Sequence, residues 1–209
     1  SSMIYENYWS GGMGLHSSQL KHIENIIIKN NIKTIVEFGS GQSTKFLVDL
    51  RKKSGLEYQI FSFDHHPVFH YKEKHEFLNL SIKDLIQCDD RSFNEVFHFK
   101  TYNRRSFKNC QKEMDNFRVK NCFYDITNDD LPNNIDLVIL DGPNGNGRSI
   151  SFLHLQNKLS ETSFILIDDS DHYDFKERCQ QILDSKMIVH ENDPTIHPLF
   201  NYAIMKIRS

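Results

Sequence analysis

The sequence predicts an α/β fold: a doubly wound, mostly parallel sheet with helices on both faces. Three observations predict it. Short aliphatic and β-branched runs alternate with stretches of helical spacing, the pattern of strands joined by crossover helices. The runs at 135–140 and 163–167 are apolar almost throughout, as strands covered on both faces must be. Successive runs end in acids or glycine, at Glu37, Gly39, Asp64, Asp141 and Asp168, which gathers polar chemistry at the carboxyl edge of such a sheet.

Taken in order, Leu20, Ile23, Ile26 and Ile27 recur at helical spacing, with Ser17 or Ser18 available as N-cap. Residues 32–38 read as a strand that runs into Gly39-Ser40-Gly41. An amphipathic helix carrying Phe46, Leu47 and Leu50 follows and closes near Gly55. Residues 58–63 form a second strand ending at Asp64. The stretch 71–134 exceeds what one strand and one helix require, so an insertion is expected at about 71–121. Its own strand lies at either 85–88 or 121–125. The second is preferred, because it precedes the strand ending at Asp141 by a normal crossover length. Residues 135–140 then run into Asp141-Gly142-Pro143, and 163–167 into Asp168-Asp169. Phe175, Cys179, Ile182 and Leu183 mark the last helix. Residues 187–190 and 202–207 make a closing strand pair, joined by a loop with Pro194 and Pro198. The whole, 1–209, is read as a single domain.

Bulk properties narrow the class. A chain of 209 residues can bury a core without disulfide or metal support. A net charge of −3 gives no global basic field, so nucleic acid is not an expected partner. Cys88, Cys110, Cys122 and Cys179 form no CxxC pair, which points to a reducing compartment. No apolar run approaches the roughly 20 residues of a membrane span, and no signal-type apolar region opens the chain. Ser1-Ser2 ahead of Met3 reads as a tag remnant. The expectation is a soluble, cytoplasmic domain.

The glycine turn carries the sharpest signal. Glycines permit positive φ and close ligand approach, and the following helix offers unpaired N–H groups. Dinucleotide sites use G-x-G-x-x-G, but here Thr44 takes the third position and Glu37 stands just before the turn. An acid aimed into this pocket repels a pyrophosphate and suits a ligand with a cationic amino group. Adenosylmethionine has an ammonium, a sulfonium and one carboxylate for the helix end. Asp64, closing the next strand, can accept from both ribose hydroxyls.

Residues 36–44, Val-Glu-Phe-Gly-Ser-Gly-Gln-Ser-Thr, resemble the first motif of class I S-adenosylmethionine-dependent methyltransferases. Residues 135–143 resemble their fourth strand, and the final strand pair their closing hairpin. The resemblance implies a seven-stranded Rossmann-like sheet with an antiparallel C-terminal pair. It further implies that Glu37, Gly39, Gly41, Ser43 and Thr44 surround the methionine portion and that Asp64 holds the ribose. Asp125 would meet the adenine amino group and His65 would flank the ring. Ser43-Thr44 and the run Asp141, Gly142, Pro143, Gly145, Arg148 are similar to enzymes that methylate sugar or polysaccharide hydroxyls. Asp141-Gly142-Pro143-Asn144 stands where nucleic-acid methylating relatives carry an N/D-P-P-Y tetrad.

Asp141, Asp168 and Asp169 end neighbouring strands in that arrangement. Converging carboxylates repel, so a divalent cation, Mg²⁺ or Mn²⁺, is one resolution. The other is that Asp141 touches cofactor or substrate while Asp168 and Asp169 cap the next helix. His172 is the leading candidate base for a hydroxyl proton and Asp141 the second. His65, His66, His70 and His75 lack a metal-binding spacing. The basic residues Lys100, Arg104, Arg105, Lys108, Lys112, Arg118 and Lys120 read as a solvated face or as a surface for an anionic acceptor. The function predicted is O-methylation of a sugar, glycan or small metabolite. A nicotinamide-dependent oxidoreductase and a non-catalytic binding domain are the alternatives.

Overall fold

Period-two alternation along the strands decides which helices cover which face of the sheet. The computed structural model describes Tyr5 and residues 14–67, 71–91, 93–94, 107–109 and 120–207. In chain order these give α1 (Ser17–Lys29), β1 (Thr34–Phe38), α2 (Gln42–Ser54), β2 (Gln59–Asp64), β3 (Leu78–Ile82), β4 (Leu85–Cys88), β5 (Phe107–Asn109), β6 (Cys122–Tyr124), β7 (Ile135–Leu140), α3 (Ile150–Leu155), β8 (Leu159–Asp168), α4 (Phe175–Ile182), β9 (Ser185–Asn192) and β10 (Asn201–Ile207).

A seven-stranded sheet runs in the order β3-β2-β1-β7-β8-β10-β9. Pairings from β3 to β8 are parallel, and β10 is antiparallel to both its neighbours. Ile35, Leu137, Ile139, Leu166 and Ile204 face one side and pack against Leu20, Ile23 and Ile27 of α1 and Phe46, Leu47 and Leu50 of α2. Their neighbours Val36, Val138, Leu140, Ile165, Ile167, Ala203 and Met205 face the other side, against Phe152 of α3 and Phe175, Cys179 and Ile182 of α4. The doubly wound α/β fold read from the sequence is therefore the observed one.

The middle of the chain differs from expectation. The sheet's third strand is β3, whose Leu78-Asn79-Leu80-Ser81-Ile82 alternates apolar and polar residues. Neither segment proposed for that role joins it. Both 85–88 and the preferred 121–125 lie in a separate antiparallel sheet of order β5-β4-β6. A short apolar run specifies a buried strand without specifying which sheet receives it.

Helix ends follow local chemistry. The N-cap of α1 is His16, not Ser17 or Ser18: its Nδ1 accepts from the Ser18 N–H while Gln19 Oε1 accepts from the His16 N–H. At the other end of the pattern, Gly55 closes α2 at φ 73°, as expected of a left-handed C-cap.

Candidate active site at the carboxyl edge of the sheet

Three strand ends hold the glycine turn. The Gly39 N–H donates to the Phe63 carbonyl at 2.8 Å, and the Phe38 carbonyl accepts from the Asp141 N–H at 2.9 Å. Gly39 has φ 101° and Gly41 φ 145°, a region that side chains disfavour. A Cβ on Gly39 would lie 3.3 Å from the Asp141 carbonyl carbon and the Gly142 nitrogen, so the β1 and β7 loops touch through a glycine.

Glu37 lies beneath this turn, fully buried. Oε2 accepts from Ser43 Oγ at 2.8 Å and Oε1 from Ser62 Oγ at 2.7 Å, and Thr44 Oγ1 also donates to Oε1. Burial pushes its carboxyl up to about 7 against the pull of these three hydroxyls. The expectation that Glu37 points into an open pocket is corrected: its carboxylate is spent inside, tying α2 and β2 to the turn. Ser43 and Thr44 belong to the same network, and Thr44 Oγ1 also accepts from the Gly41 N–H at 3.0 Å.

Asp64 closes β2 beside the turn. Oδ2 accepts from the Ser40 N–H at 2.9 Å, and Oδ1 from the N–H groups of His65 at 2.7 Å and His66 at 3.2 Å. His65 Nδ1 is buried with no hydrogen-bond partner among the described residues, 3.3 Å from Asp64 Oδ1. Burial holds this imidazole below its ordinary range, partly offset by the Asp64 carboxylate. A buried nitrogen left open beside a carboxylate, at the rim of a glycine turn, fits a nucleoside whose ribose and base would meet them. Asp125 follows β6, and its N–H donates to the Asp84 carbonyl at 2.8 Å; the preceding Lys83 N–H donates to the Asp64 carbonyl at 2.8 Å. Through Lys83 and Asp84 these two main-chain bonds link the end of β6 to the end of β2.

Sequence reasoning assigned Tyr124 no role, yet its ring fills the centre. It stacks on Phe38 at 6.1 Å and lies 6.3 Å from the His65 ring. A Cβ on Gly142 would sit 2.5 Å from the Tyr124 hydroxyl, so that glycine makes room for the phenol. Burial, reinforced by the Asp64 carboxylate, keeps the phenol protonated far above its ordinary range.

The acids at 141, 168 and 169 converge, but around a guanidinium. Arg148 is buried. It donates to the carbonyls of Pro143 at 2.6 Å, Asp141 at 2.9 Å and Asp168 at 3.1 Å, and to Asp169 Oδ2 at 3.3 Å. Gln19 of α1 donates to Asp168 Oδ1 at 2.7 Å. Burial and the adjoining Asp168 carboxylate push the Asp141 carboxyl well up, with Arg148 opposing. Among the described residues no group of three or more His, Cys, Asp or Glu side chains is arranged to hold a metal ion. The divalent cation is thus unsupported, and the charge it was invoked to balance is met in part by Arg148. Nor do Asp168 and Asp169 cap α4, whose N-cap is Asp174.

His172 sits in the turn before α4 rather than in its first turn. Nε2 lies 3.0 Å from the Leu199 carbonyl and 3.7 Å from Asp169 Oδ1. Of the histidine group, His75 stacks instead on Phe77 and Tyr71, and His70 lies outside the described residues. So do Lys100, Arg104, Arg105, Lys112 and Arg118 of the basic run; Lys120 pairs with Asp90 at 3.5 Å.

A family model described as a methyltransferase domain matches residues 36–170, the span from the glycine turn to the end of β8. Among solved structures, the O-methyltransferase TomG of Streptomyces achromogenes, involved in tomaymycin synthesis and in complex with SAM, aligns with TM-score 0.54 at 9% identity, covering 95% of this chain and 83% of its own. The apo structure of CmcI-N160 aligns with TM-score 0.52 at 15% identity, covering 97% and 76%. A precorrin-6y C5,15-methyltransferase of Geobacter metallireducens aligns with TM-score 0.52 at 12% identity, covering 97% and 93%. At these identities the likeness is one of fold. No curated protein matches the chain.

Proposed function

The chain belongs to the methyltransferase domain family of class I S-adenosylmethionine-dependent enzymes, and we propose that it methylates a hydroxyl group of a sugar, glycan or small metabolite. Gly39 and Gly41 admit the methionine portion against the backbone, while Glu37, Ser43 and Thr44 hold the turn in shape. Asp64 receives the ribose, and His65 and Asp125 meet the base. Adenosylmethionine, when bound, supplies an electrophilic methyl group. The protein's part is to orient an acceptor oxygen in line and to take its proton.

One observation carries the hydroxyl reading, the contact of His172 Nε2 with the Leu199 carbonyl. A carbonyl only accepts, so Nε2 is the donor there, and in the neutral imidazole with that tautomer Nδ1 carries the lone pair that would serve as a base. Burial and the neighbouring Asp168 push the Asp141 carboxyl up, and its place among buried acids makes it the second candidate base after His172. The alternative of a nicotinamide-dependent oxidoreductase is not favoured. The test measures adenosylhomocysteine release over a panel of hydroxyl, amine and carbon acceptors. Turnover confined to hydroxyl acceptors, reduced on the order of a hundredfold or more by His172→Ala, supports the reading. Turnover of amines alone, or an unaffected His172→Ala, overturns it.

A further inference from the structure

A cavity of about 480 Å³ opens between the turn after β8 and the loop joining β9 to β10. Its walls include Asp171, His172, Tyr173, Asn192, Pro198 and Leu199. Hydrogen bonds fix both loops. Asn201 Oδ1 accepts from the Asp171 N–H at 2.8 Å, and Asn201 Nδ2 donates to the Leu199 carbonyl at 2.9 Å. His190 Nε2 reaches Asp171 Oδ2 at 2.7 Å, which adds β9 to the same brace. On this rigid frame Leu199 is 62% and Tyr173 47% exposed. Apolar side chains held in the open around a concavity, with polar groups converging between them, are the composition of a ligand site.

The cavity adjoins the candidate chemistry. His172 lies in its wall, 3.7 Å from Asp169, which lies 3.3 Å from Arg148, which in turn holds the Asp141 carbonyl against the glycine turn. We infer that this cavity is the acceptor site and that it takes an uncharged, hydroxyl-bearing ring, an inference that rests on the methyltransferase reading above. Tyr173, Pro198 and Leu199 offer apolar surface to a ring face. The Asn192 amide, a donor and an acceptor in one plane, suits neighbouring hydroxyls. Asp171 is engaged by Lys176 and His190, which hold its carboxyl below the usual range against the effect of burial. Among the described residues no arginine or lysine lines the cavity, and the Asp171 charge is already matched by Lys176 and His190, so the lining offers an anionic acceptor no arginine or lysine of its own.

The test uses isotope-labelled protein saturated with adenosylhomocysteine and follows the Leu199 methyl and Asn192 amide resonances. Methyl β-D-glucopyranoside is the neutral probe and the corresponding methyl glucuronide the anionic one. The neutral probe is expected to shift both sets of resonances, and the glucuronide to bind more weakly. Tyr173→Ala, an exposed position, should weaken the neutral probe about tenfold and leave adenosylhomocysteine binding unchanged. Shifts confined to other residues, no shift with the neutral probe, or tighter binding of the glucuronide overturns the assignment. Failure of adenosylhomocysteine to bind strikes the methyltransferase reading instead, and that titration is recorded first.

Discussion

Arg148 donates through Nη2 to the main-chain carbonyl of Asp141 at 2.9 Å, so the strand end that meets the glycine turn is held by a guanidinium from the loop that follows it. The same side chain spans to the end of β8. Its fork geometry makes several such contacts from one buried point, which lysine cannot reproduce.

Removing it takes the guanidinium away from buried carbonyl acceptors and from the Asp169 carboxylate. Arg148→Ala is expected to cost about 3–5 kcal/mol of stability, and Arg148→Lys to recover only a part. Denaturant unfolding of the three proteins checks this, and equal stability of Arg148→Lys and the parent would contradict it.

Glu37 sets a pH dependence. Folding raises its carboxyl from 4.5 to about 7. The raised value means that this group's contribution is fully present below about pH 4.5 and is lost as pH rises through about 7. Raising the pH across that window should therefore lower the stability, by on the order of 3 kcal/mol from this group, and the melting temperature with it. Glu37→Gln keeps the size and stays neutral, so melting curves of that variant should show a flatter slope between those limits. An unchanged slope would remove Glu37 as the cause.

In the proposed cofactor site Asp64 would couple cofactor affinity to the shape of the turn, whose Ser40 N–H donates to it. Asp64→Asn replaces one acceptor oxygen by a donor that faces an N–H, at Ser40 or at His65 and His66. Adenosylhomocysteine affinity should fall by about 1.5–3 kcal/mol, roughly ten- to hundredfold. Calorimetric titration reads it, and undiminished affinity would exclude Asp64 from the ribose site.

The arrangement around Arg148 also predicts the outcome of chelation. Gln19 occupies Asp168 Oδ1, Arg148 occupies Asp169 Oδ2, and Asp141 is turned toward Asp168. Turnover should persist in EDTA. Loss of activity in EDTA and its return with Mg²⁺ or Mn²⁺ would show that these carboxylates rearrange around a cation.

Much of this was legible in the sequence because the outer parts of the chain agree at every level. Apolar runs, glycine turn and acidic strand ends around β1, β2, β7 and β8 all specify one sheet edge, and Asp64, Asp141 and Asp168 lie along it. The middle was not legible. Leu78–Ile82 showed a strand's alternation but sits at the sheet's edge, half exposed, where a weak apolar signal is easily outweighed by the stronger run at 121–125. Side-chain direction was also hidden. An acid before a glycine turn reads as a ligand group, and only packing shows Glu37 turned inward to three hydroxyls. Arg148 was visible as a motif residue, but its role depends on joining the loop after β7 to the Asp168 carbonyl of β8, which spacing along the chain does not reveal.

The central claim is that the turn at Gly39 and Gly41 binds adenosylmethionine, and parallel calorimetric titrations with adenosylhomocysteine and NAD test it most directly. Adenosylhomocysteine is expected to bind and, at about 100 times its Kd, to add about 2.7 kcal/mol of stability, with no heat and no stabilisation from NAD. Binding and stabilisation by NAD, with none from adenosylhomocysteine, would contradict the account.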